Sequence, residues 1–433
     1  MKLSGWGRYP IVESQPLLYK SCAGLIKSIT NITELCIPYG NGRSYGDAAL
    51  ASLHIPMRRL NRLLAFNEST GLLTCESGVL LAEVIEIFLP KGWFLKVTPG
   101  TKKITVGGAL ASDVHGKNHH IEGCFSECVQ EFTLLLPDGK VKTCSPTKNI
   151  DLFHATCGGM GLTGVITQIS FYLKPVKSKW INQTSIKTKN LKATFEAFEK
   201  NANSPYSVAW IDCLSKGNRL GRSIVMLGEF SLDGDLNYLP KKAINIPFNF
   251  PNLALNKFTV TLFNKLYYSK TSVGESTQKV GVDSFFYPLD AMNHWNRIYG
   301  KNGFVQFQFI LPKAVSYEAL SQILEQISKE GTGSFLAVLK LYGKENDNWL
   351  SFPMEGYSLA LDFKMQPKLE QFIDELSQVV AQYKGRIYLA KDALLKRDIF
   401  EQGYPKVMKF RDLRQKYALN LYFQSLQSQR LGL

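Results

Sequence analysis

Apolar residues recur along the chain at two spacings, close to 3.6 and to 2, and these predict its elements. The stripe Leu18, Cys22, Leu25, Ile26 and Ile29 predicts a helix over 17–30, followed by a strand over 34–38. Strands are expected at 72–75, 94–97 and 164–173, the last alternating through Val165, Thr167, Ile169 and Phe171, and helices at 80–89, 107–114 and 149–157. Residues 131–136 and 140–144 flank Asp138-Gly139 and predict a hairpin. The order of these elements is not the regular alternation of a doubly wound sheet.

A change of character falls at 174–179, Lys-Pro-Val-Lys-Ser-Lys, after which glycine loops become scarce. A helix ends over 195–201, and strands follow at 206–213, 223–230, 304–311, 335–341 and 356–363, with helices at 315–328 and 367–382. This mixture predicts an α+β region, a sheet covered on one face. Between them, 240–251 holds three prolines, and 253–268 is amphipathic and rich in Leu, Phe and Tyr. Two readings of that stretch stand: a lid or membrane-facing element, or a helix packed on its own domain. The tail predicts a strand at 386–389 and helices at 394–401 and 408–418.

Composition narrows the function classes. In 433 residues, 45% hydrophobic and 20% charged are globular values, so bulk disorder is not expected. A formal charge of +15 favours anionic ligands without choosing among a phosphorylated small molecule, nucleic acid and an acidic membrane surface. Residues 384–433 carry eleven basic and four acidic side chains, which raises the question of a positive face there. The eight cysteines lack paired metal-ligand spacing, so they read as small apolar fillers in a reducing compartment and no metal site is expected. The N-terminus does not read as a signal peptide, and no apolar run is long enough to span a membrane.

Candidate chemistry concentrates in two glycine-rich segments. The first, Tyr39-Gly-Asn-Gly-Arg-Ser-Tyr-Gly-Asp47, spaces Gly40, Gly42 and Gly46 so that backbone N–H groups can converge on a phosphate, unless it is an ordinary surface turn. The second runs from Thr105, Val106, Gly107 and Gly108 to His115, Gly116, Lys117, Asn118, His119 and His120. Neither is a Rossmann or P-loop fingerprint. Lys117 suits an anionic group and Asn118 a polar ligand edge. Tyr388 and Lys391 form a Tyr-x-x-Lys pair after an apolar strand, and Gln306 and Gln308 share one face of theirs.

The segments 38–47, 98–100, 105–108 and 113–120 resemble the FAD-binding domain of the vanillyl-alcohol-oxidase-type flavoenzymes. With 285–290, 295–300 and 388–392, the resemblance reaches through nearly the whole chain to the polyprenyl-phosphoryl-ribose oxidases of that superfamily. It implies a two-part FAD-binding domain, 1–175 completed by 384–433, with an inserted α+β substrate domain at 176–383.

FAD would be held by Tyr39, Gly40, Asn41, Gly42, Arg43, Ser44, Tyr45, Gly46, Asp47, Gly100, Thr105, Val106, Gly107, Gly108, His115, Gly116, Lys117, Asn118, Ile166 and Tyr388. Many relatives attach FAD through a histidine where Arg43 and Ser44 stand, so noncovalent binding is implied. Lys391, Tyr388 and Lys340 would be catalytic, and Lys117, Gln306, Gln308, Lys340, Ser358, Ala360 and Lys391 would face substrate. Ser358 and Ala360 stand where the mycobacterial-type enzymes carry asparagine and cysteine.

The implied reaction is oxidation of the 2'-hydroxyl of a polyprenyl-phosphoryl sugar, a cell-wall or glycan precursor, with an NAD(P)H-dependent reductase partner completing an epimerisation. A quinone-like electron acceptor and peripheral membrane contact are compatible with it. The implied location is cytoplasmic or peripheral on the cytoplasmic membrane, periplasm-facing if a partner delivers it. The rival readings are a soluble aldose, alditol or aldonolactone oxidase, and a nucleic-acid-binding protein, for which no groove-reading module is evident.

Overall fold

A computed structural model describes residues 1–251 and 254–433. Its architecture rests on two main antiparallel sheets with a continuous buried core. The first sheet orders its strands Val141–Cys144, Val129–Leu135, Val165–Pro175, Leu72–Glu76 and Leu63–Asn67, and Trp93–Leu95 pairs with the end of the long strand Val165–Pro175. That strand is buried on both faces, which is why its pattern is nearly continuous and not cleanly alternating. The predicted hairpin pairs Leu135 with Val141.

Beside this sheet lies a small parallel one built from Gln15–Pro16, Leu53–Pro56 and Cys36–Tyr39, and the last of these delivers the chain into the first glycine loop. The helix Val106–Ala111 starts the second glycine segment. Thr105 caps it, its side chain accepting from the Gly108 N–H at 3.0 Å. Gly107 lets this helix approach the end of the Leu72–Glu76 strand, since a Cβ there would stand 2.8 Å from that of Ser77.

The second sheet has eight strands in the order Glu275–Gly281, Trp180–Thr188, Ser223–Phe230, Tyr206–Ile211, Ala337–Tyr342, Gly356–Lys364, Phe304–Pro312 and Arg386–Ile387. Helices Leu191–Lys200, Ser316–Glu330 and Leu369–Gln382 cover one face, burying Phe198, Leu320, Ile323, Leu324, Ile373 and Leu376 against residues such as Leu339, Leu359 and Phe309. The opposite face carries the polar positions discussed below.

The tail returns to the N-terminal region. Cys36 N–H donates to the Tyr422 carbonyl at 2.8 Å, Gln424 N–H to that of Cys36 at 3.0 Å, and Tyr45 N–H to that of Ala390 at 3.0 Å. Arg430 reaches both Asp47 and Asp392 at 2.8 Å.

Several expectations need correction. The first helix is Cys22–Ile29, because the Ser21 side chain accepts from Gly24 N–H and stops it there, and Leu18 is exposed. The strands Trp180–Thr188 and Glu275–Gly281 carried little apolar signal: apart from Trp180, Ile181, Ile186 and Val280 they are polar or Gly, and pairing with a neighbour makes them strands. The basic tail divides: Lys384, Lys396, Arg397, Lys406, Lys409 and Lys416 are exposed, several beside carboxylates, while others turn inward. Arg414 is buried against the Leu162 and Phe423 carbonyls, Arg430 is paired to carboxylates, and Lys391 borders an internal cavity. Seven of the eight cysteines are buried and all are free thiols, as their filler reading requires. Leu253, at the start of the predicted amphipathic stretch, lies outside the described residues; from Lys257 to Lys270 that stretch is a helix.

Candidate active site

A cavity of about 630 Å³ runs between the glycine segments and the open face of the eight-stranded sheet, a volume suited to a large organic ligand. At one end it is walled by Tyr39 to Gly46, Gly100, Thr105, Gly107 and Gly108. Among the described residues, the N–H groups of Asn41, Gly42, Arg43 and Ser44 have no intramolecular acceptor. Four adjacent orphan donors beside a cavity form an anion nest. Gly42 sits at φ +60°, and a Cβ there would meet the Tyr39 hydroxyl at 2.3 Å. Gly40 would likewise place one 2.7 Å from Thr105 Oγ1. Arg43 adds a guanidinium over the Trp6 ring at 4.1 Å, its buried Nε unpartnered.

The other end is built by strand alternation. Lys340 pairs with Ser358, Gln308 with Ala360 and Gln306 with Asp362, and the register turns Lys340, Ser358, Ala360, Gln306 and Gln308 toward the cavity. The turn after Arg386–Ile387 brings Tyr388 and Lys391 to the same place, Lys391 N–H donating to the Tyr388 carbonyl at 3.0 Å. Lys391 Nζ stands 3.6 Å from the centre of the Tyr45 ring. Lys117 enters from the second glycine segment, lies over the Phe285 ring and donates to the Phe285 carbonyl.

Burial sets the protonation of these groups. It lowers the Lys391 amine to about 7, against the pull of Asp362 upward and with Lys340 adding a further lowering. Lys117 falls to about 7 and Lys340 to about 8, chiefly for the same reason. Burial raises the Asp362 carboxyl to about 7, although it accepts from Gln306 Nε2 at 2.6 Å and Tyr299 at 3.1 Å. His115 is held well below its ordinary value by burial and then by Lys340. Its Nε2 lies 3.3 Å from Gln308 Nε2, so an imidazole acceptor there puts the ring proton on Nδ1, which has no partner among the described residues.

Not every expected residue faces the cavity. Asp47 points away to bind Arg430, Val106 is packed in the core, the Asn118 side chain donates to the Lys96 carbonyl, and Gly116 abuts the Thr98 carbonyl. Tyr388 does wall the cavity, but its hydroxyl donates to the Ser112 carbonyl at 2.9 Å, so it is a ring wall and not a free proton carrier. Sequence reasoning missed Trp6, Ser77, Trp210, Met226, Asp290 and Trp295, all of which line the cavity. Asp290 and Trp295 fall in segments that carry the resemblance but were given no role, the others sit on segments without a motif, and only the paired strands and the glycine loops bring them together. Asp290 is the one acidic liner among the described residues, and Thr101 Oγ1 and Lys102 N–H already bond it. Four cationic liners are therefore left without an ion pair there: Arg43, Lys117, Lys340 and Lys391.

These residues fit FAD. The donor nest and Arg43 match a pyrophosphate, the small liners Ala48, Ala49 and Gly164 leave room for a flat ring, and Ser77 Oγ and His115 Nδ1 are further orphan polar atoms on lining residues. Residues 28–145 match the family model of the FAD binding domain. Fold and site together define an FAD-dependent oxidoreductase of the vanillyl-alcohol-oxidase type.

More narrowly, the chain is 35% identical to the decaprenylphosphoryl-β-D-ribose oxidase of Mycolicibacterium smegmatis, over all of this chain and 97% of that protein, and it belongs to that family. It is also 28% identical to an uncharacterised Streptomyces coelicolor protein over 82% of this chain and the whole of that one. The L-gulonolactone oxidase of Mus musculus is 31% identical over 31% of each chain.

Proposed function

We propose that this protein oxidises the 2'-hydroxyl of a polyprenyl-phosphoryl-β-D-ribose to the 2'-keto sugar, the first half of an epimerisation to the arabinose form. Full-length relatedness to an enzyme of that substrate supports the reading. The observation that carries it is the convergence of Lys117, Lys340, Lys391, Gln306 and Gln308 on one face of a sheet opposite an anion nest. The lactone-oxidase alternative rests on likeness over about a third of the chain.

Bound FAD would supply the acceptor for the hydride lost from the sugar C2'. Lys391 serves as proton acceptor for the hydroxyl, because an amine near 7 is substantially neutral at neutral pH. Lys340 borders the cavity and has no hydrogen-bond or ion-pair partner among the described residues, so its ammonium is available to a substrate oxygen that gains negative charge. The Gln306 amide nitrogen is committed to Asp362, which leaves its carbonyl oxygen to accept from a sugar hydroxyl. Tyr388 and His115 form a rigid wall, their rings 4.9 Å apart. Noncovalent attachment of FAD is favoured because His115 is the one histidine, and no cysteine stands, among the lining residues described.

Division into 1–175 and 384–433 around 176–383 is supported by the change of sheet after Val165–Pro175 and by the returning tail, although Arg386–Ile387 still pairs with Phe304–Pro312 in the eight-stranded sheet. The reductase partner and a quinone-like acceptor follow from the reaction, which needs one enzyme to reduce the ketone and one oxidant to restore FAD. Among the described residues no helix is long and apolar enough to cross a membrane, so the lipid substrate would be met peripherally, on the cytoplasmic membrane.

The test is anaerobic bleaching of the bound flavin by polyprenyl-phosphoryl ribose, with soluble alditols and aldonolactones in parallel. Bleaching by the lipid-linked sugar alone is expected. Bleaching only by soluble sugars would overturn the substrate while leaving the flavoenzyme intact.

A further inference from the structure

The helix Lys257–Lys270 carries its polarity inverted. Its buried positions are Val260 and Asn264, and Asn264 Nδ2 donates to Asp212 Oδ1 at 2.8 Å. Its outward line, at four-residue spacing, is Phe258, Leu262 and Leu266, which are 75%, 46% and 63% exposed. A helix that meets only water on its outer side places these residue types the other way round.

The surrounding chain shares this character. From 236 to 274 there are five lysines, at 241, 242, 257, 265 and 270, and no Asp or Glu. Ile244 and Phe248 are also exposed. Their segment runs parallel to Met292 and Asn293, and Arg297 donates to the carbonyls of Ile246 and Pro247.

Both pieces adjoin the cavity. Met292 and Trp295 line it on the side of the Ile244 segment, and Phe263 and Tyr267 line it from the inner shoulder of the helix. Phe263 and Phe335 rings lie 5.6 Å apart, and Trp210 and Tyr267 rings 4.8 Å. The apolar lining at this end therefore continues outward into exposed apolar side chains, fringed by the lysines of 241–270, with Glu330 beside Lys257.

We propose that this face docks on an anionic lipid bilayer, with Phe258, Leu262 and Leu266 entering the boundary between headgroups and acyl chains and the cavity opening toward it. The inference rests on the lipid-linked substrate reading, for which such an orientation delivers the phosphosugar to Lys340 and Lys391 while the polyprenyl chain stays in the membrane. Basic residues beside inserted aromatic and aliphatic ones are the chemistry of interfacial binding. A second copy of this chain is a poorer occupant, since a two-fold contact would set the lysine-rich face against itself.

The experiment is vesicle flotation of the FAD-loaded protein with phosphatidylglycerol/phosphatidylcholine vesicles and with phosphatidylcholine alone. Binding to the anionic vesicles is expected, weakened about tenfold or more in the triple variant F258S/L262S/L266S and about fivefold for each of Lys257, Lys265 and Lys270 replaced by Gln. Flavin content, melting temperature and turnover of a short-chain, water-soluble substrate analogue should stay unchanged in the triple variant, because none of its three positions lines the cavity. Failure to float with either vesicle, or flotation that the triple variant leaves intact, overturns the proposal. So does a concentration-dependent dimer that the triple variant abolishes in place of vesicle binding. Flotation without oxidation of any polyprenyl-phosphoryl sugar would instead retire the substrate reading and leave the docking surface standing.

Discussion

Lys391 shows what burial does to an ordinary side chain. An exposed lysine stays protonated at neutral pH, whereas this one, beside a cavity and over the Tyr45 ring, is lowered to about 7. The rate of flavin reduction by substrate is expected to rise as pH passes upward through about 7, since the neutral amine is the form that accepts a proton. Stopped-flow pH profiles check this, and Lys391→Ala should slow reduction by about 10²- to 10⁴-fold with flavin still bound. Gly42 is the matching case in the proposed cofactor loop. At φ +60° a Cβ would be strained and would collide with the Tyr39 hydroxyl, so Gly42→Ala should raise the FAD dissociation constant by about tenfold, measured by titrating apoprotein with FAD. Both residues were singled out from the sequence, Gly42 from glycine spacing and Lys391 from a Tyr-x-x-Lys pair whose catalytic role came only with the family resemblance. The Asp362 carboxylate behind Gln306 was not, because nothing in Gly-Tyr-Ser-Leu-Ala-Leu-Asp362 marks one polar position of a strand as buried.

The tail and the first glycine loop act as one element although more than 300 residues separate them in sequence. Gly46 packs so closely on the Asp392 carbonyl that a Cβ would fall 1.7 Å from it, and Arg430 sits between the carboxylates of Asp47 and Asp392. Arg430→Met would leave two buried carboxylates facing each other and should cost about 3–5 kcal/mol, read by urea denaturation. FAD affinity should fall with it, because the loop bearing the nest loses its support. Pattern reading placed two helices of the tail within a few residues but missed Leu426–Leu431, and it could not say that Arg414 and Arg430 turn inward. Charge counted along a chain is blind to partners contributed by distant segments.

Across the whole molecule, three lysines without ion pairs border one internal cavity, and their cost is written into the pH dependence of stability. Lys340 falls from 10.5 to about 8 on folding. Between those values the unfolded chain holds a proton that the folded one has released, so stability from this group is gained as pH rises from about 8 to 10.5 and lost as pH falls back through 8. Lys340→Met should therefore raise the melting temperature of the apoprotein most at neutral pH, with the gap to the unsubstituted protein closing as pH approaches 10; a scanning-calorimetry series tests this. The chain by itself determined the mixed α+β character, the glycine loops and the amphipathic stretch after residue 250, because periodicity, glycine content and turn chemistry are local properties. Tertiary structure alone decided that Tyr388 spends its hydroxyl on Ser112, that Asp47 turns away from the cavity, and that the polar strands Trp180–Thr188 and Glu275–Gly281 exist. Those outcomes depend on which distant donor, acceptor or strand edge arrives alongside, and hydrogen bonds and ion pairs are settled by that proximity in space.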